Sequence, residues 1–157
     1  MNLAAALVWG FGATVVLTTM LRAGQALGLT RIDLPFILGS AFTANRDRAK
    51  VLGYGIHLLN GWGFALVYCV AFETYGQSGL LLGVLIGLVH GAFVLVVGMP
   101  LLPAFHPRMA SDTWGPEPAR QLEPPGNLTL NYGWSTPALT LIAHAVFGGI
   151  LGVFYRV

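Results

Sequence analysis

The chain has little charge and almost no cysteine. Charged residues fill 9% of its 157 positions, whereas a soluble domain has about a quarter of its residues charged. Water is therefore not its main solvent. The single cysteine, Cys69, rules out an intramolecular disulfide. No Asp, Glu, Lys or Arg occurs in the central part of any long apolar run, which argues against an ion- or proton-coupled transporter. No ring-forming charge marks a pore. Also missing are a G-x-S-x-G elbow, a P-loop, an H-E-x-x-H zinc motif and the setting of a catalytic cysteine. There is no low-complexity run, and one half does not repeat the other.

What is present is apolar length. Hydrophobic residues make up 55% of the chain, and four runs are long enough for a bilayer, which takes about 20 helical residues. They cover residues 3–21, 51–72, 79–102 and 137–155. The expected fold class is an all-α integral membrane protein, a single four-helix domain over residues 1–157. The first run lacks a preceding basic stretch, so it is expected to be a retained helix rather than a signal peptide. Arg22, Arg31, Arg46, Arg48 and Lys50 separate the first two runs, and Arg108 and Arg120 the last two. The positive-inside rule then puts both long loops in the cytoplasm and both termini outside. Beside a span, the basic cluster NRDRAK serves as a topology signal, so no nucleic-acid partner is expected.

Two segments between the runs are distinctive. TRIDLPFILGSAF is too short to cross yet apolar enough to seek lipid, so an interfacial or re-entrant segment is expected, with Pro35 in the first turn of a helix capped by Asp33 or Thr30. The long loop 103–136 holds Pro103, Pro107, Pro116, Pro118, Pro124 and Pro125. Those prolines exclude a long helix, while Trp114, Trp134 and LTLNYGW suit a cap docked over the cytoplasmic mouth.

Glycine sets the packing. Gly79, Gly83, Gly87 and Gly91 recur every four residues, a small-residue face that lets another helix approach closely. Weaker versions are Ala6, Gly10, Thr14 and Thr18; Gly53, His57, Gly61, Ala65 and Cys69; and His144, Gly148 and Gly152. Such faces suit helix association within the chain, self-association, or contact with another membrane protein in the lipid bilayer.

Polar residues inside these runs are the candidate site. Counted from the cytoplasmic side at 1.5 Å per residue, His57 lies about 9 Å deep, Asn60 about 13 Å, His144 about 10 Å and His90 about 15 to 18 Å. All four fall in one layer in the cytoplasmic half of the bilayer, and each histidine has small neighbours that leave room for a flat group. Neutral imidazole ligates haem iron and hydrogen-bonds readily, so the expected occupants are haem, a chlorin pigment, a quinone or a metal ion. A metal would take the three histidines with Asp33. The competing expectation is that Asn60, Thr140 or Thr18 satisfies the imidazoles and nothing binds. His106 and Arg108, in PLLPAFHPRM, are candidates for contact with an anion or lipid headgroup. Glu73, Tyr155 and Arg156 read as residues of the outer boundary.

The runs DLPFILGSAFTANRDRAKVLGYGIHLLNGWGFALVY, LVHGAFVLVVGMPLLPAFHPRM, LNYG and AHAVFGGILG together resemble a family of bacterial four-span integral membrane proteins of unknown function. The resemblance covers most of the chain in the same order. It implies the four-span fold, places Asp33, His57, Asn60, His90, His106, Arg108, Asn131, Tyr132 and His144 in one recurring pattern, and implies no activity. The function expected is that of an accessory or cofactor- or partner-binding subunit. The alternative is a membrane-embedded metal- or quinone-dependent oxidoreductase.

Overall fold

The computed structural model describes residues 1–111 and 120–157; Trp114, Pro116 and Pro118 lie outside them. The described residues are helical without a β-strand. Four helices are long and apolar enough to cross a membrane. Their outward surface is apolar, with Val8, Val51, Leu59, Leu81 and Val89 more than 60% exposed. That pattern inverts a water-soluble protein and fits a multi-pass membrane protein.

Helix α1 spans Leu3–Ala26. Its first turn is capped by Asn2, whose side chain accepts from the Ala5 N–H at 3.0 Å. It runs past residue 21 because Arg22 stays helical and pairs with Asp33 at 3.1 Å. Helix α2, Leu34–Ser40, begins with Pro35 in its first turn and Asp33 as cap, accepting from Phe36 N–H at 3.2 Å. Helix α3, Arg46–Tyr75, starts five residues earlier than its apolar run because Asn45 caps the basic segment, accepting from Arg48 N–H at 2.9 Å. It stops at Gly76, whose φ of 64° only glycine adopts without strain.

Helix α4, Leu80–Phe93, passes through a π-helical turn at Val94–Gly98 into α5, Met99–Phe105. Proline explains the turn. Pro100 has no N–H to offer the Val96 carbonyl, and in a regular helix its ring would press on that carbonyl. The wider turn relieves this, and the Met99 N–H bonds to the Val94 carbonyl instead. Pro103 lies inside α5, so helix continues three residues beyond the expected end at 102. Helix α6 is Thr136–Phe154.

Helix α6 packs on α1, α3 and α4; α1 also packs on α3, and α2 on α3. The tightest seam is α4 against α6. A Cβ on Gly83 would strike the Gly148 carbonyl, and one on Gly87 the His144 carbonyl. Gly39 and Gly53 meet the α3 and α2 backbones, and Gly61 meets Thr14. The glycine faces are thus occupied within the chain. By contrast, the α3 and α4 backbones scarcely approach each other, and the space between them is the site described below.

At the end bearing the termini the boundary reading needs correction. Tyr155 is fully buried rather than an interfacial anchor. Its hydroxyl donates to Glu73 Oε1 at 2.6 Å and accepts from Asn2 N–H at 3.1 Å, while the Met1 ammonium lies 3.3 Å from Glu73. Glu73 is thus engaged rather than merely solvated. Tyr155→Phe removes both of these hydroxyl bonds and should lower the melting temperature. Thermal unfolding in detergent measures it.

The opposite end carries a docked cap in which Trp134, the one described tryptophan of that loop, takes no part. Trp134 is 88% exposed. Tyr132 and Met109 are buried with Ile32, Ile37 and Met99, and Arg31 N–H donates to the Tyr132 carbonyl at 2.6 Å. Tyr132 ends a short 3-10 segment, Asn127–Tyr132, that packs against α5 and α6, and its hydroxyl donates to the Glu123 carbonyl at 2.6 Å. Burial, and then the Glu123 carboxylate, push the Tyr132 phenol up to about 12. The raised value means the fold favours the neutral phenol. Its contribution is full below the ordinary phenol value near 10 and is lost as pH rises through about 12. Hydrogen exchange of residues 126–133 should therefore accelerate across that window, and Tyr132→Phe should flatten the dependence.

Candidate functional site

A cavity of about 240 Å³ lies between α3 and the α4–π–α5 segment. Its back wall is Thr14 and Leu17 of α1 with His144 and Phe147 of α6. His57, Asn60, Gly61 and Phe64 come from α3, while His90, Val94, Gly98, Met99 and Leu102 form the opposite side. Leu34 and Leu38 close it at the α2 end. Among the lining residues only Asn60 is exposed, so the mouth opens sideways between α3 and α4. The four polar side chains placed in one layer from sequence therefore do meet around one space.

The hydrogen bonds of the imidazoles share a pattern. His144 Nδ1 lies 2.8 Å from the Thr140 carbonyl, which only accepts, so Nδ1 carries the proton. His57 Nδ1 lies 2.9 Å from Thr18 Oγ1, whose own proton points to the Thr14 carbonyl at 2.7 Å. Both contacts are satisfied when His57 Nδ1–H donates to Thr18. His90 Nδ1 faces the Tyr68 hydroxyl at 3.1 Å, where either group is able to donate. Every ring spends Nδ1 on the protein. No buried side-chain nitrogen or oxygen among the described residues is left without a partner, so the unbonded Nε2 atoms are not sealed in the core. Thr18 and Thr140 are the partners anticipated from sequence, although Thr140 serves through its carbonyl rather than its hydroxyl.

The rings also stack. His90 and His144 meet edge to face at 4.7 Å between centroids, and Phe64 lies 3.9 Å from His90. Tyr68 and Phe147 complete an aromatic floor around His90. Tyr68 and Phe64 were not singled out from sequence, yet a signal existed. His57, Gly61, Phe64 and Tyr68 follow the spacing i, i+4, i+7, i+11, which is one helix face.

Asn60 differs from the histidines. It sits halfway along α3, exposed at the mouth, and its carboxamide makes no hydrogen bond to any described residue. An unpaired amide in hydrocarbon costs several kcal/mol.

His106 differs in the other direction. It is buried, with Nε2 2.9 Å from the Ile37 carbonyl and Nδ1 accepting from Arg108 N–H at 3.2 Å. Both ring nitrogens are spent, Nε2 on tying α2 to the end of α5 and Nδ1 on the local turn to Arg108. Arg108 donates to the Ser40 carbonyl and borders a separate surface pocket with Phe36, Thr43 and Gln121. Asp33 does not join the histidines, being engaged by Arg22 and the first turn of α2. Among the described residues no group of three His, Cys, Asp or Glu stands close enough to hold a metal ion.

Comparison with protein-family models, with curated proteins and with solved structures returns no match. The chemistry of the cavity must speak for its function.

Proposed function

We propose that this protein is a multi-pass protein of the bacterial inner membrane, both termini outside, that holds a small apolar cofactor by its polar head and serves as an accessory subunit. The observation that carries this reading is the cavity itself. Three helices bring His57, Asn60, His90 and His144 to one cavity, each ring with a nitrogen to spare and the amide with no partner. Polar groups in a bilayer mark function when their bonding capacity is left open.

Size narrows the cofactor. Pockets for drug-sized ligands run from about 300 to 1,000 Å³. A cavity of about 240 Å³ suits one substituted ring with its tail leaving through the side, and is too small for a whole haem or chlorin. The basic residues of the two long loops support the orientation.

Purification in mild detergent, followed by absorption spectroscopy, metal analysis and mass spectrometry of an organic extract, tests the reading. A stoichiometric apolar molecule, lost in His144→Ala, is expected; an empty protein with no co-purifying molecule or partner would sink it. A carboxy-terminal alkaline phosphatase fusion should be active. Asn60→Leu should release the molecule and also raise the melting temperature of the empty protein, because it removes an unpaired amide worth about 1–3 kcal/mol.

A further inference from the structure

Resting on the binding site just proposed, we infer that its ligand is a ring diol of the quinol type, uncharged and dissolved in the bilayer, recognised in its hydroxyl form rather than its carbonyl form. The imidazole tautomers point to this. His144 Nδ1–H is committed to the Thr140 carbonyl at 2.8 Å, and His57 Nδ1–H to Thr18 Oγ1 at 2.9 Å. In neutral imidazole the second nitrogen then carries a lone pair and accepts. The site thus offers two fixed acceptors, one from α3 and one from α6.

A ligand hydroxyl donates to such a nitrogen and still accepts from the Asn60 carboxamide. A ligand carbonyl would set its own lone pairs against those of the imidazoles. His90 adapts to either, since Tyr68 is able to donate to it or accept from it.

Shape agrees with the chemistry. Phe64, His90 and Phe147 present ring surfaces within one small space, which favours a flat aromatic head over an aliphatic alcohol. The mouth lies between α3 and α4, midway along both the membrane-capable helices, with the apolar Leu59, Val89 and Phe93 exposed on those helices. An isoprenoid or alkyl tail leaves there into lipid without crossing a polar layer. No charged side chain lines the cavity, which excludes a phosphate or carboxylate head on the same grounds.

Decylubiquinol, decylubiquinone and 1-decanol, each added anaerobically to the full-length protein in phosphatidylcholine nanodiscs, separate the alternatives by native mass spectrometry. The quinol should bind about tenfold or more tightly than the quinone, the difference made by unpaired acceptors. His57→Phe and His144→Phe should each weaken it about five- to tenfold. Nitrogen-15 spectra of histidine-labelled wild-type protein should show protonated Nδ1 at His57 and His144, a readout independent of whether the variants fold. Equal binding of quinone, equal binding of decanol, or an Nε2–H tautomer at His144 would overturn the quinol assignment while leaving the binding site standing. Binding of none of the three by a folded protein that also carries no co-purifying molecule would overturn both.

Discussion

Gly87→Leu should remove the folded protein from detergent extracts, whereas Gly63→Leu should leave its yield and melting temperature unchanged. Both glycines lie inside long apolar helices, so hydropathy and helix propensity treat the two changes alike. The difference is what a side chain meets. A Cβ on Gly87 falls on the His144 carbonyl and close to Ala145, whereas one on Gly63 meets nothing within 4 Å. Backbone on the facing helix has no rotamer to change, so α4 and α6 must separate along the whole seam. Overpacking by a methylene or two already costs about 1–3 kcal/mol. Losing this seam costs more than about 4 kcal/mol, a large part of the 5–15 kcal/mol that usually holds a domain. Since Gly87 approaches the His144 carbonyl, the same seam also sets where the His144 ring stands. Size-exclusion profiles of the two variants, expressed side by side, give the answer.

His144→Ala combined with His57→Ala should strip the bound molecule by at least tenfold and leave the helices assembled. Neither ring is needed to satisfy the groups it leaves behind. The Thr140 carbonyl keeps its place in the α6 ladder, and the Thr18 hydroxyl still donates to the Thr14 carbonyl. Truncation enlarges an existing cavity, so the cost to folding is that of lost packing, about 2–4 kcal/mol for both together. Two neutral hydrogen bonds of about 1 kcal/mol each account for the loss of ligand. His106→Ala provides the contrast. Its ring nitrogens bond the Ile37 carbonyl and the Arg108 N–H, so the variant should loosen α2 and lower stability without a direct effect on ligand in whatever protein still folds. Circular dichroism melts set beside mass spectrometry of extracts distinguish a binding histidine from a packing one.

That contrast could not be read from the chain. In sequence the four histidines look alike, each in an apolar setting with small or proline neighbours. Helical rise places His57, Asn60, His90 and His144 at similar depth, because depth along a helix depends only on residue count. Whether four helices turn those residues toward one another depends on rotation about each axis, which is fixed by packing. Tyr68 shows the same limit. Its spacing from His57 puts it on the site face, but only the approach of α4 sets its hydroxyl 3.1 Å from His90. The π turn is a middle case. Pro100 announces a fault in the α4 ladder, yet a kink, a break or a widened turn would each relieve it.

The ends of the bundle followed the same division. Asp33 as cap and Pro35 in the first turn of α2 were legible, since capping is a local matter. The burial of Tyr155 was not. Near a chain end, beside Arg156 and after an apolar run, a tyrosine has the local signature of an interfacial anchor. Its fate was decided by Glu73, 82 positions away, and by the amino terminus.

By itself, then, the sequence determined the solvent, the number of long helices, the cap that begins α2, and which residues lie at the same depth. These depend on composition, local hydrogen bonding and the rise per residue. The tertiary structure alone decided which helices touch and which stand apart. Glycine lets α4 close on α6 and α2 on α3, so the gap is left between α3 and α4. It fell to that gap to turn a layer of polar residues into a cavity with an open side.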